Sequence, residues 1–282
     1  MLDKKLLKKL EIIVFDLDGT LLNEYGEIGE KSIEYIHELK KMGMKFSFAT
    51  GRLHNTIVDY ASQLGLETPL VSLDGAIIKS YPSNKIVYER YIKSSYVNKA
   101  IKMAEDDLLK VALSHDEAIY YTASNSLVPQ LMEKYEANFS QIDSYEDYVK
   151  KTLEIIICGD YKKSIKKIEE KMKFPSAIGL RTSFYKSQDH DSVYFLEIRN
   201  KKCSKGDGFL RLLKHLKVNI KKSAVLGDWY NDKSLFRTKA LKIAMANAVE
   251  EIKSMADYTL DKTNNEDGVS DFLKKVIDAK KE

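Results

Sequence analysis

The passage that most constrains this chain runs from Ile12-Ile13-Val14-Phe15 into Asp16-Leu17-Asp18-Gly19-Thr20-Leu21-Leu22. A short, continuously apolar, β-branched run bounded by turn residues reads as a strand buried on both faces, the kind found in parallel sheets. Parallel strands need crossover connections, so helices must lie between them. The two aspartates fall just past the strand's carboxyl end, where open α/β sheets place their ligands. Strand alternation would turn Asp16 and Asp18 to one side, and Gly19 supplies a turn position that tolerates positive φ. Carboxylates this close to an apolar strand are costly unless something pairs with them. A divalent cation would do so, and hard oxygen ligands of this kind suit Mg²⁺. A bare Asp-x-Asp is more often a turn with two solvated acids, so the rest of the chain has to decide.

The same grammar continues downstream. Glu30 to Met42 carries helical periodicity through Ile33, Ile36 and Leu39, and Gly43 ends it. Phe46-Ser47-Phe48-Ala49 is a second buried strand, ending in Thr50-Gly51-Arg52, with a helix expected over His54–Leu64. Strand, helix, strand with right-handed crossovers sets Thr50 beside Asp16. A hydroxyl and exposed backbone N–H groups opening a helix make a seat for phosphate, although Thr-Gly-Arg alone is more often a helix N-cap. The run Val71-Ser72-Leu73-Asp74-Gly75-Ala76-Ile77-Ile78 follows.

Far along the chain, Cys203-Ser204-Lys205-Gly206 precedes the apolar positions Phe209, Leu210, Leu212, Leu213 and Leu216. Lys205 therefore sits at a helix start, where the helix dipole disfavours a cation, which points to a functional job. Ala224-Val225-Leu226 is another buried strand, ending in Gly227-Asp228-Trp229-Tyr230-Asn231-Asp232. That spacing puts Asp228 at the strand end and Asp232 in the next turn. A strand over Leu241–Ala246, a helix to Met255, a strand over Asp257–Leu260 and a final helix opened by Thr263-Asn264-Asn265-Glu266-Asp267-Gly268-Val269 complete the pattern.

From about Tyr81 the pattern changes. Strand-like runs at Ile86–Tyr91, Val111–Leu113, Ala118–Tyr121, Leu153–Ile157, Ser176–Leu180 and Val193–Ile198 alternate with helical stretches at Ser94–Asp107, Asn125–Phe139 and Tyr161–Lys173. This predicts a mixed α+β module with a mostly antiparallel sheet. The expected organisation is a core from 1–81 and 193–282, with the module inserted over 82–192.

With 46 basic against 42 acidic side chains the net charge is +4, and the signs alternate. No basic stripe with interleaved aromatics is visible, so nucleic-acid binding is not suggested. Cys158 and Cys203 share no metal-like spacing and read as reduced thiols of a cytoplasmic protein. The apolar run before Asp16 is too short for a signal peptide, and no stretch approaches a membrane span. Leu2, Leu6, Leu7 and Leu10, with lysines between, suggest a short amphipathic turn packed against the body. Nothing in the sequence specifies an oligomeric state.

Four segments, at 16–22, 50–52, Lys205 and 227–232, resemble in order and spacing the four motifs of the haloacid dehalogenase (HAD) superfamily of phosphohydrolases, in its Cof-type branch. The resemblance spans essentially the whole chain. It implies an α/β, Rossmann-like core with a parallel sheet and helices on both faces, plus an inserted α+β cap domain that selects substrate. It also implies a Mg²⁺-dependent phosphatase acting on small phosphorylated metabolites such as sugar phosphates or phosphorylated cofactors. Asp16 would be the nucleophile, forming an aspartyl-phosphate, and Asp18 the acid and base. The phosphoryl group would be held by Thr50, the N–H groups of Leu17 and Gly51, Lys205 and Asn231. Asp16, Asp228 and the Asp18 carbonyl would hold the metal, with Asp232 orienting Lys205 or a metal-bound water. The Cof-type pattern usually has Asn-Gly-Ala where this chain has Asp74-Gly75-Ala76. That departure leaves the reaction in place and puts substrate details in question, and Trp229-Tyr230 is bulkier than the pattern expects. A phosphomutase and a non-catalytic phosphate-binding protein on the same scaffold are the competing readings. The module is close to charge-neutral, and His115, Tyr120, Tyr121, Arg181, Lys186 and His190 are candidates for its substrate-facing side.

Overall fold

Ile12–Phe15 forms a strand with every residue buried, as its apolar run requires. It pairs in parallel with Ser223–Gly227 on one side and Lys45–Phe48 on the other, so that Phe15 lies opposite both Leu226 and Phe48. The computed structural model describes residues 2–132, 137–187 and 190–282. The order across this sheet is Tyr258–Thr259, Leu241–Ala244, Ser223–Gly227, Ile12–Phe15, Lys45–Phe48, with every pairing parallel. Connections run one way from Ile12–Phe15 and the other way from Ser223–Gly227. The crevice at a parallel sheet's carboxyl ends opens where the order reverses, so the ligand position is already chosen by topology.

Helices cover this sheet in two packed groups. Glu30–Lys41 and Gly268–Lys281 pack together, and the short N-terminal helix Lys4–Lys8 packs on the latter. Leu7 and Leu10 are buried, and Lys280 Nζ donates to the Leu10 carbonyl at 2.9 Å, so the amphipathic N-terminus does pack against the body. Lys205–Leu216, Lys233–Phe236 and Glu250–Met255 form the second group. Among the described residues, no helix is long and apolar enough to cross a membrane.

The described chain divides into two compact units. One comprises Met1–Gly51, Ile57–Val87 and Ser204–Glu282, and carries the parallel sheet. The other comprises Arg52–Thr56 and Tyr88–Cys203. Its six-stranded sheet has the order Leu180–Lys186, Tyr194–Asn200, Glu154–Gly159, Lys110–Ser114, Ile119–Thr122, Phe139–Ile142. All pairings are antiparallel except the last, which is parallel. Val97, Ile101, Val111, Leu113, Ile155, Ile157, Ile165, Ile168, Leu196 and Ile198 make its core with Ser94–Asp106 and Lys162–Lys171. Cys158 and Cys203 are free and buried, and burial pushes the Cys158 thiol up to about 12.

The structure differs from the sequence expectations at several places. The insertion runs to Cys203 rather than 192, because Tyr194–Asn200 is an interior strand of the six-stranded sheet, paired on both edges. The expected strand Ser176–Leu180 instead begins at Leu180 and runs to Lys186, after Gly179 takes φ +87°. The expected helix Asn125–Phe139 is a turn at Ala123–Asn125 and a short helix Val128–Leu131, and Phe139 opens a strand. Asn125 explains the break: its side chain accepts from Val111 N at 2.9 Å and donates to the Tyr145 hydroxyl at 3.2 Å, which ties the backbone to the sheet. Residues 133–136 of that predicted helix lie outside the described residues. The helix expected over His54–Leu64 is a 3₁₀ turn at His54–Thr56 followed by Val58–Gln63.

Candidate active site

Each predicted residue of the site comes from a loop at the carboxyl edge of the parallel sheet or from a helix start beside it. The first strand stops at Phe15, and Asp16 N still donates to Leu226 O at 3.1 Å. Beyond it the chain turns, with Thr20 N, Leu21 N and Leu22 N all donating to Leu17 O. The relative placement of Asp16 and Asp18 therefore comes from this turn and not from strand alternation. The outcome is unequal surroundings: Asp16 is 4% exposed, whereas Asp18 is exposed. Gly19 sits at φ +75°, and a Cβ there would lie 2.9 Å from Asp228 Cγ, so the two acidic loops touch only because residue 19 has no side chain.

On the neighbouring strand, Ala49 N donates to Phe15 O at 2.8 Å, and Thr50 N donates to Val71 O at 3.0 Å. These bonds hold the fully buried Thr50 next to Asp16's strand. On the other side, Gly227 ends its strand and delivers Asp228. Thr20 Oγ1 donates to Asp228 Oδ1 at 2.9 Å.

Lys205 is the first residue of Lys205–Leu216, and the helix is capped by Ser204, whose Oγ accepts from Asp207 N at 3.1 Å. The Lys205 side chain is fully buried and bridges Asp16 Oδ1 at 2.6 Å and Asp232 Oδ1 at 2.8 Å. Burial alone would lower its pKa, but Asp16, Asp232 and Asp74 outweigh burial and hold the ammonium above the ordinary lysine value. A cation at a helix start is repelled by the dipole, and here the two carboxylates offset that cost. The helix reaches this position through a close approach: a Cβ on Gly206 would collide with the Ser234 carbonyl. Gly206→Ala is expected to destabilise the protein by about 1–3 kcal/mol and to depress turnover by displacing Lys205. A melting temperature and specific activity equal to the parent's would show that the helix can shift without cost.

Asp16, Asp228 and Asp232 bring carboxylate oxygens within 4.8 Å of one another. Burial, then Asp232, raise the Asp16 carboxyl well above the usual carboxylate range, against the pull of Lys205. Burial, then Asp232, likewise push Asp228 up to about 7. Three buried acids facing one ammonium have the donor chemistry of a hard divalent cation. Asp232 is already engaged on both oxygens: Oδ1 accepts from Lys205, and Oδ2 accepts from Asp228 N at 2.9 Å and Trp229 N at 3.1 Å. These bonds tie Asp232 to Lys205 and to the Asp228 loop, within the three-carboxylate group that could hold a metal ion.

Asn231 is exposed and its Nδ2 lies 3.5 Å from Asp74 Oδ1, in the same cluster of loops. The structure thus brings Asp16, Leu17, Asp18, Thr50, Gly51, Lys205, Asp228, Asn231 and Asp232 to one edge of one sheet. In the inserted unit, the expected substrate-selecting side chains fall into separate clusters. A ring nitrogen of His115 lies 2.8 Å from Tyr148 O, Tyr120 packs on both rings, Lys186 pairs with Asp191 at 3.2 Å, and Arg181 is exposed.

Sequence reasoning gave no role to Thr20, Asn247 or Asn264. Asn247 Nδ2 donates to Gly19 O at 2.8 Å, and its Oδ1 accepts from Asn264 N at 3.1 Å. Asn264 Nδ2 donates to Leu22 O at 2.8 Å. These side chains fasten the Asp16–Leu22 turn from the loops after two other strands. The available signal was their position: Asn247 follows a strand's carboxyl end just as Asp16 and Asp228 do.

The sequence model of the haloacid dehalogenase-like hydrolases matches residues 13–273. Phosphatase YwpJ of Bacillus subtilis (strain 168) is 26% identical, over 95% of this chain and 100% of its own length. The phosphoglycolate phosphatase of Methanopyrus kandleri is 24% identical, over 95% of this chain and 97% of its own. A crystal structure of a haloacid dehalogenase-like hydrolase from Bacteroides thetaiotaomicron matches with a TM-score of 0.82 at 25% identity, covering 95% of this chain and 99% of that one. The family match reaches all three segments of the parallel-sheet unit and both segments of the other, and so the chain belongs to the haloacid dehalogenase-like hydrolase family, in its Cof-type branch.

Proposed function

We propose that this protein is a Mg²⁺-dependent phosphomonoesterase that hydrolyses small phosphorylated metabolites through an aspartyl-phosphate on Asp16. The observation that carries the reading is the buried Lys205 bridge between Asp16 and Asp232 at the carboxyl edge of the sheet. A nucleophilic carboxylate must be aimed and its charge offset, and an ammonium fixed by a second carboxylate contributes to both. The relatives named phosphatases, among them YwpJ and the phosphoglycolate phosphatase, support the reaction class.

In the first half-reaction Asp16 attacks phosphorus, the ester P–O bond breaks, and the leaving oxygen takes a proton from Asp18. In the second, water attacks the same phosphorus while Asp18 takes its proton. The P–O bond to Asp16 then breaks, releasing phosphate and restoring the carboxylate. Asp18's exposure suits this work, since its proton must exchange with solvent and substrate, whereas Asp16 is shielded from competing water. The Thr50 hydroxyl, the N–H groups of Leu17 and Gly51, Lys205 and Asn231 hold the phosphoryl oxygens. Asp16, Asp228 and the Asp18 carbonyl would hold Mg²⁺, which supplies charge neutralisation for the phosphoryl oxygens when bound. The inserted unit acts as a cap that selects the leaving group.

Phosphate release from a panel of phosphorylated metabolites, with Mg²⁺ and with EDTA, tests the proposal. Release is expected with Mg²⁺ and not with EDTA, and Asp18→Asn should lower kcat on the order of 10²–10⁴-fold. Release that persists in EDTA, or an Asp18→Asn protein with parental kcat, would overturn the metal or the acid–base assignment respectively. Phosphoryl transfer to an acceptor without release of phosphate would establish a mutase instead.

A further inference from the structure

Asp74 is a buried acid beside the site that the proposed reaction does not use. It is 8% exposed and takes φ 48° and ψ 38°, a left-handed conformation in which aspartate, asparagine and glycine are the tolerated residues. Its N–H donates to Thr50 O at 2.9 Å, which fixes its backbone to the loop that presents the Thr50 hydroxyl. Its Oδ1 faces two groups of the proposed phosphate seat. The Asn231 amide nitrogen lies 3.5 Å away, and a Cβ built on Gly51 would lie 3.4 Å away. It is also close enough to Lys205 to help raise that ammonium's pKa. A carboxylate is thus set among Thr50, Gly51, Asn231 and Lys205, the groups assigned to the phosphoryl oxygens.

We propose that Asp74 is a positioning residue that weakens the hold of this site on phosphate, by placing negative charge beside the phosphate seat while it orients the Asn231 amide. The inference rests on the phosphatase reading above. A like charge beside a bound dianion raises its free energy, and the effect is large where burial removes solvent screening. The penalty falls alike on substrate phosphate and on inorganic phosphate, so it acts as a uniform loss of binding and keeps product from accumulating on the enzyme. The Asn231 contact is the second half of the role, because an amide held by an acceptor keeps its donor geometry between turnovers.

Two variants separate charge from orientation. Asp74→Asn removes the charge and keeps an acceptor oxygen for Asn231. Asp74→Gly removes both while suiting the left-handed backbone. The measurement is calorimetric titration of each full-length protein with inorganic phosphate in Mg²⁺, beside kcat and KM on the best substrate of the panel. Asp74→Asn is expected to bind phosphate about tenfold tighter and to lower KM with it, without raising kcat. Asp74→Gly is expected to gain less than Asp74→Asn. A gain in affinity cannot arise from damage to the fold, so a merely structural role for Asp74 would not produce it. If the parent binds phosphate and Asp74→Asn binds it equally or more weakly, the charge assignment fails. If the glycine and asparagine variants bind alike, the role in orienting Asn231 fails. If the parent neither binds phosphate nor releases it from any ester, the phosphatase reading fails, and this inference goes with it.

Discussion

Replacing Asp16 by asparagine is expected to abolish turnover, by at least about 10³-fold, while leaving the protein as stable as before or more so. The two halves of this expectation have one cause. Asp16 is buried, and burial together with Asp232 raises its carboxyl well above the usual range despite Lys205. Burial therefore works against the charged form that the proposed chemistry needs, and an isosteric neutral amide removes that cost. Lys205 keeps its second partner, Asp232 Oδ1 at 2.8 Å, so the ammonium is not left unpaired. A melting curve beside an assay of phosphate release checks both halves. Retention of more than a few per cent of activity would remove Asp16 as the nucleophile, and a large fall in melting temperature would show that its charge is needed by the fold.

Lys205→Met is expected to cost both stability and activity. Methionine approximates the length of the lysine stem but carries no charge, and it leaves Asp16 and Asp232 buried without the ammonium that bridges them. Removing one partner from a buried ion pair costs about 3–5 kcal/mol, because the remaining charge stays in a poor solvent. Turnover should fall by at least about 10³-fold, since in the proposed mechanism both the orientation of the nucleophile and a phosphoryl contact disappear. Lys205→Arg should restore charge but little activity, because a planar guanidinium does not fit a side-chain slot that is 0% exposed. Denaturant unfolding in EDTA reads the stability, and a parental midpoint for Lys205→Met would mean that the two acids find other compensation.

The opposite signs expected for stability at Asp16 and Lys205 come from the same cluster. Acids outnumber the single ammonium among Asp16, Lys205, Asp228 and Asp232, so removing an acid relaxes the cluster and removing the base strains it. Active sites commonly hold such conflicts, with their cost carried by packing elsewhere. Here the surrounding strands, buried at Ile12–Phe15 and Ser223–Gly227, supply that packing.

Much of this was legible in the amino-acid sequence because it is local. Ile12–Phe15, Phe46–Phe48 and Ala224–Leu226 declare buried parallel strands by composition alone, and a parallel strand's carboxyl end is where polar residues gather. Asp16, Thr50 and Asp228 are found by reading one or two residues past each run, and Lys205 by its misplacement at a helix start. The pairing of Ser223–Gly227 and Lys45–Phe48 on either side of Ile12–Phe15 converts those separate readings into one edge.

What only the tertiary structure decided involves contacts between residues far apart in the chain, or competition that local pattern does not register. The strand Tyr194–Asn200 belongs to the six-stranded sheet because its partners there bury Leu196 and Ile198. The helix expected from Asn125 is broken because the Asn125 amide bonds to Val111 and Tyr145. Asp232 Oδ1 meets Lys205 across 27 residues, and Asp74 meets Asn231 across 157. The sequence by itself determined the parallel strands beside the site, their chemistry-bearing ends and the family, since hydrophobic period and motif spacing are properties of neighbouring residues. Which acid is buried, which is exposed, and which holds the lysine was decided by the fold, since solvation and pairing depend on what the rest of the chain brings alongside.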